Sequence, residues 1–257
     1  MPNLTAVTFE QLGNKFWKRF DSYAFTSEQN IAPLVLAELP KALKTFPLCF
    51  IKQGEGYVLV ALQSFTPQQN LYVNHKGQWL ASYVPSCFRS YPFRLAKPAD
   101  RDALILCVDA DSGLITDTEG EPFFQENGSF SESVVGIVDF LKKVERNRIV
   151  TQQAVAELTN ANVICEWPLK IKDGDEVTPI AGLYRIDEAR LNSLDEFTFL
   201  KLRKAQSLPI AYAQLFSMEN TSVLRKLAGM KRYEQPPEFK EEDLERLFSG
   251  DDLIRFD

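Results

Sequence analysis

At 257 residues, with 45% hydrophobic and 25% charged residues, the chain can bury a sizeable core and is wrong for a disordered polymer. Net charge is −6, and the lysines and arginines read as scattered, so nucleic acid and anionic membrane are poor partners for it. No run approaches the roughly 18 apolar residues of a membrane span.

The start, MPNLTAVTFEQLGNKFWKRF, lacks the apolar stretch and small-residue cleavage site of a secretory signal. Cys49, Cys107 and Cys165 each lie in apolar, strand-like runs and read as core positions carrying free thiols. The expected location is the cytoplasm; export without a cleaved signal is the alternative.

Val35 to Thr45 mixes helical spacing with Pro40 and reads as a short helix broken at that proline. PLCFI, YVLVALQSF, NLYVN and QWLASYV follow as short strands separated by turn chemistry at 54–56, 66–70 and 75–77. LILCVD and GLITD flank the turn ADSG and read as a hairpin, and EPFFQENGSF closes a strand-rich first half.

At Ser129 the period changes. The run S-F-S-E (129–132) fits a capping box, and Val134, Val135, Val138, Leu141 and Val144 form one stripe of an amphipathic helix. A second helix is expected from Thr151 to Asn160. NVICEWPLKI and IAGLYRI read as strands around the turn KDGDE. S-L-D-E (193–196) is a further capping box opening the helix EFTFLKLRKAQ, and SLPIAYAQLFS and TSVLRKLAGM complete a helical end.

This order predicts an α+β fold, with an antiparallel or mixed sheet in the N-terminal half and helices concentrated in the C-terminal half. The divisions fall at 1–130 (strand-rich), 131–235 (helix-rich, completing one domain or forming a second sub-domain) and 236–257 (an acidic tail). Pro47 and Pro168 open similar strand-and-turn runs, which marks either two related sub-domains or two similar hairpins.

In the tail, Phe239, Leu244, Leu247, Phe248, Ile254 and Phe256 give an apolar side to an acidic peptide. It either docks on its own domain or serves as a partner-binding segment laid into a groove.

Catalytic signatures are missing. His75, the single histidine, falls in a turn, and there is no C-x-x-C or H-x-x-x-H, so no metal is expected. DADSG (109–113) begins like a calcium loop but reaches Gly120 where the twelfth-position glutamate belongs. Phosphate-loop and G-x-S-x-G patterns are also missing, and Cys87 has no base near it in sequence. The expectation is a protein without cofactor or catalytic residue.

What stands out is YVPSCFRSYPF (83–93), where Arg89 lies among prolines and aromatics. Pro85 and Pro92 predict an extended, stiff tract. Arg89 could staple a loop to the core with Tyr83, Tyr91 and Phe93 covering its stem. It could instead point into a cleft and hold a ligand's carboxylate or phosphate, with the aromatics as walls.

Here the residues carry a likeness. Asn70, Leu71, Gly77, Trp79, Tyr83, Pro85, Arg89, Tyr91, Pro92 and Phe93 fall in a pattern that resembles the signature of the bacterial SapC family. A second block holds Asp117, Gly120, Phe123, Phe124 and Gly128; a third is GLYRIDEARLNSL (182–194) with the AYAQLFS run ending at Ser217. The resemblance spans roughly residues 30 to 225, and the acidic tail lies outside it.

It implies bacterial origin and a role beside other proteins. Relatives are associated with surface-layer gene clusters, or encoded near outer-membrane receptors, cupin-like oxygenases and flavin-dependent halogenases. It carries over no catalytic residue. The leading expectation is a non-enzymatic accessory protein acting through a protein or peptide partner. The alternatives are an enzyme or small-ligand binder with a cleft of Arg89, Tyr83, Tyr91, Trp79 and Asn70, or a surface-layer-associated structural protein.

Overall fold

The computed structural model describes residues 3–98, 103–173 and 176–234. Its strands are β1 (Leu4–Ala6), β2 (Phe16–Trp17), β3 (Ile31–Pro33), β4 (Leu48–Gln53), β5 (Gly56–Leu62), β6 (Phe93–Ala96), β7 (Ile105–Asp109), β8 (Ile115–Thr116), β9 (Glu121–Pro122), β10 (Ile164–Glu166), β11 (Leu169–Asp173), β12 (Glu176–Ile180) and β13 (Leu183–Ile186). The helices are α1 (Phe9–Leu12), α2 (Leu39–Ala42), α3 (Ser86–Arg89), α4 (Glu132–Asn160), α5 (Glu188–Asn192), α6 (Glu196–Lys204), α7 (Ser207–Ser217) and α8 (Thr221–Glu234). The fold is α+β, with antiparallel sheets mainly in the N-terminal half and helices mainly in the C-terminal half.

The central sheet runs β10-β13-β4-β5-β3, antiparallel at every joint. In β4, successive residues Leu48, Cys49 and Phe50 are all buried, as are Leu59 to Leu62 in β5. Neighbouring side chains in a strand point to opposite faces, so both faces of this hairpin are covered. Helix α7 stitches the sheet from its buried polar side: the Ile186 amide donates to Gln214 Oε1 at 2.8 Å, Gln214 Nε2 donates to the Leu48 carbonyl, and the Leu48 amide donates to Ser217 Oγ at 2.9 Å.

A smaller core gathers Val7, Leu12, Trp17, Phe93, Val108 and Phe123 under the sheets β1-β7-β6 and β8-β2-β9. Helix α4 serves both cores: Val134 and Leu141 join the small one, Ala154, Val155 and Leu158 the large one. Between these two buried stretches its middle is polar, KKVERNR (142–148), and crosses from one core to the other.

Several local expectations are corrected. The two helices expected around 134–144 and 151–160 are one helix of 29 residues, because no Pro or Gly interrupts the polar middle. Its cap is Ser131 rather than Ser129; Phe130 still pairs with Phe124 as extended chain, so the helix cannot start earlier. Asp195, accepting from the Thr198 amide, caps α6, while the Ser193 hydroxyl is spent closing α5 on the Arg190 carbonyl.

The turn at 110–113 exists, with Gly113 at φ 71°, but its flanks do not form a hairpin. β7 pairs with β1 and β6, and β8 pairs with β2. NLYVN and QWLASYV share only the bridge between Val73 and Trp79, since the Tyr72 amide donates to the Asn70 side chain and the Leu71 amide to the Gln63 carbonyl. Pro40 lies in the first turn of α2, where its missing N–H costs nothing, and so opens that helix instead of breaking it. No helix among the described residues is long and apolar enough to cross a membrane.

Candidate functional site

The tract around Arg89 is not extended: Pro85 is followed by the single helical turn α3, and the Tyr91–Pro92 bond is cis. A lone turn has no internal partners for its first amides. Here Glu38, from the 3-10 turn Leu36–Glu38 just before α2, supplies one for the Ser86 amide. Its carboxylate is 4% exposed. Oε1 accepts from the Ser86 amide at 2.6 Å and the Tyr83 hydroxyl at 2.7 Å, while Oε2 accepts from the Ser86 hydroxyl at 2.7 Å and the Val35 amide at 3.0 Å. Charge-assisted bonds of this length are the strong kind, and four of them leave the buried carboxylate fully satisfied.

The shortest ties of this loop are thus those of Glu38, and Arg89 adds longer ones. Its Nη2 is 3.9 Å from Glu38 Oε1 and makes one hydrogen bond, to the Tyr83 hydroxyl at 3.3 Å. The guanidinium carbon lies 5.6 Å from the centre of the Tyr83 ring and 5.2 Å from that of Phe140 on α4, so it is flanked by two aromatic faces. With 42% of its side chain exposed, Arg89 lines a cleft.

That cleft, ≈ 250 Å³, is walled by Glu38, Lys41, Tyr83, Arg89, Phe140, Lys143 and Asn147 among others. On α4 the lining residues Phe140, Lys143, Val144 and Asn147 follow the spacing of one helix face. Among the described residues no carboxylate forms an ion pair with Lys41 or Lys143. Basic residues read as scattered in the sequence thus converge here from α2, α3 and α4, an arrangement that only the packing creates. The cleft can hold an anionic group against a planar fork and two ammonium groups.

The other residues grouped with Arg89 in the sequence lie elsewhere. Tyr83 is in the cleft. Trp79 packs on Tyr72 and Phe88 and donates Nε1 to the Tyr83 carbonyl at 2.9 Å, fixing the loop that carries the phenol. Tyr91 stacks on Phe25, ring centres 3.9 Å apart, away from the cleft. Asn70 is wholly buried and ties the loop to the Thr26 carbonyl and the Tyr72 amide. The residues Phe239, Leu244, Leu247, Phe248, Ile254 and Phe256 of the expected partner-binding tail lie outside the described residues.

Glu38 is the residue that sequence reasoning missed. The signal was present but ambiguous: a glutamate two residues before a proline in an otherwise apolar run, LVLAELPKAL. Burial, with Glu38 adding to it, pushes the Cys87 thiol up to about 12, which disfavours the thiolate. His75 lies exposed in the turn 74–77 and is not part of the cleft. Among the described residues no group of His, Cys, Asp and Glu could hold a metal ion.

Neither the curated proteins nor the solved structures contain a match to the chain. The model of the SapC family matches residues 8–224, which take in the cleft, both cores and the stitching residues of α7. With that much of its length matched, the chain belongs to the SapC family.

Proposed function

We propose that this protein is a non-enzymatic bacterial accessory protein that binds a partner polypeptide by capturing an acidic group in the Arg89 cleft. One observation carries the reading: Arg89 is half-exposed against two aromatic rings, and its carboxylate neighbour, Glu38 at 3.9 Å, already accepts four shorter hydrogen bonds from other donors. The long contact to Glu38 leaves the exposed fork able to take a second, closer anion, which suits recognition. The cleft, ≈ 250 Å³, has room for a carboxylate-bearing side chain of a larger partner.

The test is equilibrium binding of a fluorescent hexaglutamate peptide to the full chain at low salt. Measurable, salt-sensitive binding is expected, weakened at least tenfold by Arg89→Lys with the melting temperature unchanged. Binding indifferent to that substitution overturns the proposal, as does tighter binding of a single-stranded oligonucleotide than of the peptide.

A further inference from the structure

Another hollow, sharing no residue with the Arg89 cleft, opens beside the small core. Its volume is ≈ 620 Å³, and every lining residue except Thr8 and Lys142 is apolar. Three strands meet it at one end of the sheet β1-β7-β6. The Val7 amide, just past β1, donates to the Leu106 carbonyl at 2.9 Å, while β6 pairs Leu95 with Leu106 and Ala96 with Ile105. Here β7 enters the sheet, and β1 and β6 leave it. Helix α4 contributes Val138 and Lys142, four residues apart on one helix face.

The stripe of α4 that fills the small core explains why space is left. Val134 is wholly buried, Val138 is half-buried, and Lys142, next at the same spacing, is exposed. An ammonium does not give up its water to an apolar core without a partner, so α4 stops filling the space after Val138. Leu104, just before β7, is left 42% exposed.

Charge narrows what can cover this surface. No carboxylate lines the hollow, and among the described residues none pairs with Lys142. On α4, Glu145 is held by Arg148 through two 2.6 Å hydrogen bonds, and Asp139 does not line the hollow. The Thr8 hydroxyl, unused as a cap for α1, is the other polar side-chain group present. A sugar or nucleotide would leave most of its polar groups unpaired against such walls. An apolar body ending in one negative group fits them.

We infer that this hollow binds a free carboxylic acid with a medium-length alkyl chain, its tail laid on Leu95, Leu104, Leu106 and Val138 and its carboxylate on Lys142. The chain's net charge of −6 opposes docking of the same wall onto an anionic bilayer, which favours the free acid over a lipid headgroup. This site does not rest on the function proposed for the Arg89 cleft.

The experiment is isothermal titration of the full chain with hexanoate, octanoate and decanoate, each below its micelle concentration. Affinity should rise about fourfold per added methylene. Lys142→Gln should weaken all three by roughly fivefold or more and keep that slope, and Lys142→Arg should retain binding. Leu104→Glu, at an exposed position, should abolish binding without lowering the melting temperature. Arg89→Lys should change nothing.

Failure of decanoate to bind, affinity indifferent to chain length, or octylamine binding as tightly as octanoate overturns the inference. So does binding that Arg89→Lys removes and Lys142→Gln spares, which would place the acid in the other cleft. Tighter, Lys142-dependent binding to phosphatidylglycerol vesicles than to decanoate would assign the wall to a membrane surface and overturn the free acid as its ligand.

Discussion

Glu38 and Ser86 are joined twice, through the Ser86 amide to Oε1 at 2.6 Å and the Ser86 hydroxyl to Oε2 at 2.7 Å. This pair fixes the start of the turn that ends in Arg89, so the position of the exposed guanidinium depends on a buried carboxylate 48 residues before Ser86.

Glu38→Ala should therefore be costly. It orphans the Ser86 amide and hydroxyl, the Val35 amide and the Tyr83 hydroxyl, all in buried surroundings. The expected loss is about 3 kcal/mol or more of unfolding free energy, read from urea denaturation midpoints. A loss below about 1 kcal/mol would show that the carboxylate does not organise the loop.

Arg89→Ala should behave in the opposite way. The side chain is largely solvated, so its removal should cost less than about 1 kcal/mol of stability. A fall in melting temperature as large as that of Glu38→Ala would return Arg89 to an architectural role.

Gly120, at φ 125°, lies against the β2 backbone: a Cβ there would come within 2.4 Å of the Trp17 carbonyl oxygen. Backbone cannot swing aside as a side chain can. Gly120→Ala should destabilise by about 2–3 kcal/mol, with the small core losing near-ultraviolet circular dichroism first.

Burial pushes the thiols of Cys49 and Cys87 up to about 12, and raises the phenols of Tyr72 and Tyr83 as well. Unfolded thiols release their protons near pH 8.5. Above that pH the unfolded state holds fewer protons than the folded one, so stability falls as pH rises, with the two phenols adding from about pH 10. The denaturation midpoint should be lower at pH 9.5 than at pH 7.5. Cys49 and Cys87 should resist iodoacetamide at pH 8 under native conditions; rapid modification of Cys87 would contradict its protonated state.

The sequence was most informative where a signal is local. The runs around Phe50 and Leu59 are continuous apolar stretches bounded by a Gly-containing turn, and they form the β4–β5 hairpin. The stripe from Val134 to Val144 is helical. Cap positions came out within two residues because Ser129 and Ser131, or Ser193 and Asp195, differ only in whether the preceding chain is still extended or already engaged. The pairing of β7 with β1 instead of β8 was invisible, since strand partners more than a hundred residues apart leave no local trace.

The cleft divides the same way. By itself the sequence determined the α+β class, the family, the buried free thiols of Cys49 and Cys107 (though not the partly exposed Cys165) and the prominence of Arg89, because periodicity, turn chemistry and composition act over a few residues. Only the tertiary structure decided that Glu38 makes the shortest ties of the loop, and that Lys41, Arg89 and Lys143 line one hollow. Desolvation makes a buried carboxylate seek every donor within reach, and which donors those are depends on how distant segments pack.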